Sequence, residues 1–456
     1  MTNALITFLS FLVTVGVLVV IHELGHFAVA RLLGVKILRF SVGFGRTLWV
    51  RRFGRDRTEW AIAAIPLGGY VKMLDEREGD VAPEDRPRAF NRQGVGARIL
   101  IVLAGPAANF FLAWLLYWAL FVTGLPGMKP MVGEPPRDTA AAFAGLAGGD
   151  LVRALNDEPV STWGDVRWLL LKEAVKREGV TLEVETRGGA RATRRLDLSG
   201  LSKEDLDSDF LAKLGLRTFR PDVPATLGRI IADSAAMRAG FAQGDRVTRI
   251  GDKPIATWSE FTAEVSASPG KRLEVEVERG GRRLALQATP DLVKEGNVKF
   301  GRLGAEGPPE LKNAYERLAI TVRYGPLDAI GRAAHKVYDL SLFSLKMLGR
   351  MVVGDISWKN LSGPVAIAEY AGQSAQLGWI TYLGFLALVS VSLGVLNLLP
   401  IPLLDGGHLV YYFAEIVKGS PVSEKTMEIG QRFGLALLLG LTFFAFYNDL
   451  NRLFTG

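Results

Sequence analysis

The 456-residue sequence contains no cysteine. Disulfides, thiolate metal ligands and cysteine nucleophiles are therefore excluded, and any bound metal must rely on histidine and carboxylate. Histidine is itself scarce, with four in the chain. Charge is absent from the first 21 residues, so the basic n-region of a secretory signal peptide is missing and the opening apolar run is expected to be a retained span. Lys and Arg are absent before Arg31, yet 14 of them fall between Arg31 and Arg98. That asymmetry places the 31–98 segment on the cytoplasmic side and the N-terminus outside. The formal charge of +7 thus reports topology, and nucleic acid is not expected as a partner.

Apolar residues make up 49% of the chain and charged residues 22%, a mixture expected of membrane spans alternating with soluble modules. Ala4 to Ile21 is long enough to cross a bilayer. Its next turn reads His22-Glu23-Leu24-Gly25-His26, an H-E-x-x-H motif. On a helix, residues four apart share a face, so His22 and His26 can grip one ion while Glu23 handles a proton beside it. Two imidazoles leave a tetrahedral zinc one protein ligand short, so a third must come from elsewhere.

Two apolar, alternating stretches with glycine breaks follow, at 37–50 and 58–73. They predict strands or hairpins at the membrane surface, with Gly43, Gly45, Gly68 and Gly69 allowing bends. Ile99 to Val122 is a second span, carrying Gly105-Pro106-Ala107-Ala108-Asn109. Its small residues favour close helix packing, and Asn109 needs a polar partner in lipid. Residues 145–163 and 240–258 then repeat at a spacing of 95, sharing Gly, Gly-Asp, Asp, Pro and Trp positions. Two tandem α/β modules are expected, and their signature resembles PDZ domains, which take peptides by strand addition.

Glu310 to about Lys359 has helical periodicity and reads as amphipathic helices, with His335 an ordinary residue among them. Ala371 to Leu404 is uncharged and contains a third span, ending in Asn397-Leu398-Leu399-Pro400-Ile401-Pro402-Leu403-Leu404-Asp405. Backbone broken by prolines at that depth persists only when it lines a cavity or is buried. Phe433 to Asn448 is the fourth span, short for the purpose. Four spans bring the ends of spans one and three to one side at similar depth. Asp405 can then complete a two-histidine, one-carboxylate zinc site, with His408 as the competing third ligand. Zinc would activate water and polarise a carbonyl, and Glu23 would carry the proton to the leaving nitrogen.

The segments HELGH, GFG (43–45), PLGGYVKM (66–73), AGPAAN (104–109), LSGPVAIA (361–368) and NLLPIPLLDGGH (397–408), with the PDZ-like pair, resemble the bacterial site-2 proteases over nearly the whole chain. The resemblance implies a Zn2+ intramembrane endopeptidase of the inner membrane, with His22, His26 and Asp405 as metal ligands and Glu23 catalytic. It ties Asn397, Pro400 and Pro402 to substrate handling, and makes the loop around Gly43, Phe44 and Gly45 a membrane-reentrant element that pairs with unwound substrate. Implied partners are the lipid bilayer and single-span membrane proteins: an anti-sigma factor already cut by a periplasmic site-1 protease, and remnant signal peptides. The PDZ pair would act as a size filter against uncut substrates.

The expected fold is a polytopic α-helical membrane protein with four transmembrane helices, a membrane-associated β-hairpin region and two tandem periplasmic PDZ-like domains. Helix 1 with its H-E-x-x-H occupies 1–34, the β region 35–95 and helix 2 96–124. The PDZ-like modules take 125–220 and 221–308, amphipathic periplasmic helices 309–370, helix 3 371–408, and a cytoplasmic loop with helix 4 409–456. The rival readings are a non-proteolytic membrane PDZ scaffold with a structural metal site and a metal transporter. The transporter reading requires further polar residues along spans two and four, where they are nearly absent.

Overall fold

The computed structural model describes the chain except residues 1, 175–178, 203–204, 206–208, 296–297, 355–357, 359–362 and 456. The chain divides into two compact units, residues 1–125 with 323–453, and residues 126–322 with 454–456. Helix α1 (Thr2–Leu32) continues without interruption from the apolar run through the histidine motif. The hairpin of β1 (Ile37–Phe53) and β2 (Thr58–Met73) is antiparallel and folds over on itself. Residues 39–42 of β1 pair with 69–72 on one side and with 59–62 on the other. The fold-over needs corners, and they fall at Gly43, Gly45 and Gly68, all at positive φ (89°, 84° and 108°), where a side chain would be strained. Phe27 of α1 packs edge-on to Phe40 and Trp60 at 5.8 and 5.2 Å, fixing the hairpin to the helix. Leu48, Trp49, Val50, Ile62 and Ile65 of the hairpin remain exposed, an apolar face of the kind that marks an interaction or membrane surface.

Helix α2 (Val95–Thr123) runs through Pro106 without breaking, although proline withholds an N–H from the carbonyl four residues earlier. The other unit contains two modules with one topology. In the first, β3 (Leu151–Leu155), β4 (Glu158–Pro159), β5 (Val180–Glu185) and β6 (Arg191–Leu196) form a sheet of order β4-β3-β5-β6 beside α3 (Trp163–Ala174). In the second, β7 (Arg246–Ile250), β8 (Lys253–Pro254), β9 (Leu273–Arg279) and β10 (Arg282–Ala288) take the order β8-β7-β9-β10 beside α4 (Trp258–Ser266). The repeated sequence explains the repeated structure. Asp150 and Asp245 each accept from the backbone N–H three residues earlier, at 3.0 and 2.9 Å. Thr162 with Asp165, and Thr257 with Glu260, exchange side-chain and backbone bonds at the start of α3 and α4, the capping-box arrangement that sets where each helix begins. Separate cores close around Leu170, Leu182 and Leu196 and around Phe261, Val275 and Val277.

The C-terminal third departs from expectation in four places. The helical reading from Glu310 holds over Pro309–Leu318 but fails at Ala319–Val322. There the β-branched Ile320, Thr321 and Val322 form a strand paired with Leu125–Met128, a conformation that such side chains favour. Helix α5 (Pro326–Val352) follows and receives the indole N–H groups of Trp114 and Trp118 at its Ile330 and Pro326 carbonyls. The expected helix up to Lys359, and the first two residues of the 361–368 motif, fall partly outside the described residues. The single third segment is divided at Gly378 (φ 115°) into α6 (Pro364–Gln376) and α7 (Trp379–Asn397). Residues 405–418, expected as the span's end and a loop, form a helix of their own, α8 (Asp405–Lys418). The last helix, α9 (Glu424–Thr455), is far longer than its apolar core, and Glu428 and Arg432 pair one turn apart in its leading segment, a small local support for helix there.

Among the described residues, four helices are long and apolar enough to cross a membrane, at Ala4–Leu32, Val95–Thr123, Trp379–Asn397 and Glu424–Asn451, and the chain is a polytopic membrane protein. Near the end of α9, the buried Asp449 accepts the backbone N–H groups of Gly363, Val365 and Ala366 at the start of α6. Replacing Asp449 by alanine strands those donors, at a cost of about 3 kcal/mol. The expected result is a lower unfolding midpoint of the detergent-solubilised protein; an unchanged midpoint would refute this role for the carboxylate.

Candidate metal centre

His22 and His26 lie one turn apart on α1, with Nε2 atoms 3.2 Å from each other. Asp405 reaches both, placing Oδ2 3.2 Å from His22 Nε2 and Oδ1 3.5 Å from His26 Nε2. The three side chains are only 11–16% exposed. His26 Nδ1 donates to the Ile101 carbonyl at 2.8 Å. A carbonyl can only accept, so the ring proton of a neutral His26 sits on Nδ1 and its Nε2 presents a lone pair. The lone pair of His26 and the carboxylate of Asp405 thus converge with Nε2 of His22, an arrangement that favours a cation at their centre.

The spacing suits a particular ion. Ligand bonds of about 2.0–2.2 Å around a tetrahedral centre give edges of roughly 3.3–3.6 Å, close to the three separations above. Nitrogen and carboxylate donors with no thiolate are compatible with zinc. Asp405 Oδ2 is buried without a hydrogen-bond partner among the described residues, as expected of an atom reserved for a metal. Gly105 of α2 lines the other side: a Cβ there would overlap His26 Nε2 and lie 2.8 Å from His22 Cε1. The donor set and its surroundings fit the ion.

Asp405 is the first residue of α8, not the last of the spanning helix α7, and three features hold it in place. Leu403 has a φ of 89°, a left-handed conformation costly for a leucine. Gly406 and Gly407 let the 398–404 segment lie directly on the first turn of α8, since a Cβ at either would overlap a backbone carbonyl of that segment. Further along, Glu415 accepts from Arg98 of α2 at 2.6 Å, and the Arg98 guanidinium lies 4.9 Å from the Tyr412 ring centre. Pairing in a largely buried setting strengthens such a contact and clamps α8 to α2.

Glu23 stands beside the triad against the hairpin, with its Cγ 3.3 Å from where a Cβ on Gly69 would be. Together with His26, Val71 and Asp405 it lines a cavity of about 610 Å³ that Arg77 and Glu424 also line. Asn397, at the end of α7, reaches His22 Nδ1 with its side-chain amide at 3.4 Å. Pro400 and Pro402 shape the turn before Asp405, and Gly434 of α9 permits close approach to Pro402. Gly43, Phe44 and Gly45 form the hairpin corner, where Phe44 stacks on Tyr70 at 6.1 Å. Among the described residues, no hydrogen bond joins that corner to the triad. His408 lines the cavity but lies outside the cluster of three, and His335 is on α5 with Asp339 as its neighbour. The sequence implies that Asn109 needs a polar partner without naming one, and the structure supplies it: the amide lies 3.2 Å from His22 Nδ1. The signal available was its place one turn after Gly105.

The profile of peptidase family M50 matches residues 10–441. The chain is 42% identical over 445 residues to the regulator of sigma-E protease RseP of Salmonella typhimurium, covering 97% of this chain and 98% of the relative. It is 43% identical over 446 residues to the protein of that name in Escherichia coli K12, with the same coverage. A protein of Ralstonia nicotianae named as a candidate zinc metalloprotease is 42% identical over 467 residues, covering 99% of both chains.

Gly105→Ala would force the two imidazoles apart, because interiors packed this closely do not absorb an extra methyl group against a fixed ring. The expected outcome is loss of stoichiometric metal from the purified protein, read by elemental analysis. Full metal content in this variant would contradict the packing described.

Proposed function

The chain belongs to peptidase family M50, the site-2 proteases, and we propose that it is a zinc-dependent intramembrane endopeptidase cutting single-span membrane proteins within the bilayer. One observation carries the reading: an H-E-x-x-H pair on a membrane-spanning helix and a largely buried aspartate converge with ligand spacing. His22, His26 and Asp405 would hold the ion. When bound there, zinc supplies Lewis acidity, making water a nucleophile at neutral pH and polarising a carbonyl.

The remaining chemistry falls to the chain's own residues. Glu23 takes the proton from the attacking water and delivers it to the leaving amide nitrogen. A helical substrate has its carbonyls occupied by intrahelical bonds and must unwind before it is cut. The half-buried Asn397 and the turn at Pro400 and Pro402 offer hydrogen bonds to the unwound strand. Residues 69–73 lie beside Glu23, and their outer edge has no paired strand among the described residues. A strand added there would run past the catalytic group, while the corner at Gly43, Phe44 and Gly45 directs it from the membrane side. The charged cavity supplies water from the opposite side.

The basic 31–98 segment argues for a cytoplasmic hairpin, which puts residues 126–322 in the periplasm of an inner-membrane protein. The two modules there, with their resemblance to PDZ domains, would exclude substrates whose periplasmic part is still attached. Relatives that bear the name regulator of sigma-E protease support a role in the second cut of a membrane anti-sigma factor, after a periplasmic site-1 protease. Remnant signal peptides are a further substrate class of the same shape.

The test is cleavage of a truncated single-span substrate by purified protein in detergent, comparing wild type with Glu23→Gln and measuring zinc in both. Glu23→Gln is expected to retain zinc and lose activity by about 10²–10⁴-fold. Zinc-loaded wild type that cuts no such substrate would favour the non-proteolytic scaffold, whereas a Glu23→Gln variant that cuts equally well would overturn the role given to Glu23.

A further inference from the structure

Two side-chain amides compete for one ring nitrogen. Asn109 of α2 lies 3.2 Å and Asn397 of α7 lies 3.4 Å from His22 Nδ1. An imidazole that ligates through Nε2 carries its proton on Nδ1, and that proton needs an acceptor. The two amides are not equivalent. Asn109 is fully buried, and its backbone carbonyl is held by the Ser390 hydroxyl at 2.7 Å. Asn397 closes α7 and is partly exposed.

The side-chain oxygen of Asn109 is buried and has no hydrogen-bond partner among the described residues. Oxygen and nitrogen of an amide exchange places by a half-turn about its last bond, and the hydrogen-bond network decides between them. The half-turn brings the orphaned oxygen against His22 Nδ1, where it can accept the ring proton. We propose that Asn109 is the positioning residue of the metal centre: it accepts from His22 Nδ1–H, aims Nε2 at the ion and leaves Asn397 free for substrate. This rests on the metal-centre reading above and extends it to the second span. It also accounts for an amide in an otherwise apolar part of α2, where an unpaired polar group is costly.

The experiment is zinc affinity by chelator competition on the purified full chain, for wild type, Asn109→Leu, Asn109→Asp and Asn397→Leu, with the unfolding midpoint of each metal-stripped protein. Leucine keeps the bulk and removes the acceptor, so Asn109→Leu is expected to weaken zinc binding about 10–100-fold. Asn109→Asp changes one atom and keeps the acceptor, and its added charge faces a cation, so affinity at or above wild type is expected. Asn397→Leu is expected to bind zinc like wild type. A packing role alone would lower the metal-stripped midpoint of Asn109→Leu without rescue of affinity by aspartate. Wild-type affinity in Asn109→Leu, equal weakening by leucine and aspartate, or equal weakening in Asn397→Leu would each overturn the assignment. A wild-type protein that binds no zinc would overturn both this inference and the metal centre, which separates the two failures.

Discussion

The structure depends on how closely α2 can approach α1. At the crossing, Gly25 of α1 faces the Ala104 carbonyl and Gly105 of α2 faces the two histidines, and neither position has room for a Cβ. In lipid, where helices gain little from excluding water, association relies on such close packing and on polar contacts between helices. Here the same contact does both. It brings the backbone of α2 near enough for the Ile101 carbonyl to fix the tautomer of His26, and for Asn109 to reach His22. The geometry of the candidate ligands is thus a property of the helix crossing as much as of the H-E-x-x-H motif.

Asp405 is held on a different principle. It comes from the first turn of a short helix, approached through a strained Leu403 and a turn folded tightly over two glycines. The restraint that keeps this helix in place lies ten residues further on, in the largely buried Arg98–Glu415 pair. An ion pair in such surroundings recovers little net stability over an apolar contact, but it is specific in geometry. Strain at one end and a directional clamp at the other leave the carboxylate few alternatives.

The parts of this architecture that follow local rules are legible in the sequence. Spacing of four on a helix puts His22 beside His26, glycines mark the hairpin corners, and a 95-residue repeat appears as two modules of one topology. What stays hidden depends on distant partners. Ala319–Val322 has helical neighbours and becomes a strand because Leu125–Met128, nearly 200 residues away, pairs with it. Residues 409–418 read as a loop because their amphipathic face is meaningful only against α2. Asn109 is seen to need a polar partner, but nothing in its own helix reveals that His22 lies opposite. Membrane sidedness rests on the distribution of basic residues, a pattern that belongs to the whole chain and to no single element.

The separation of the triad along the chain has a consequence for how the protein is made. During synthesis His22 and His26 emerge together, whereas Asp405 follows only 379 residues after His26. Arg98 must likewise wait for Glu415, and Gly363 for Asp449. A nascent or truncated chain is therefore left with an incomplete ligand set and an unclamped helix. The site is thus a late product of the fold, closed by contacts between residues hundreds of positions apart.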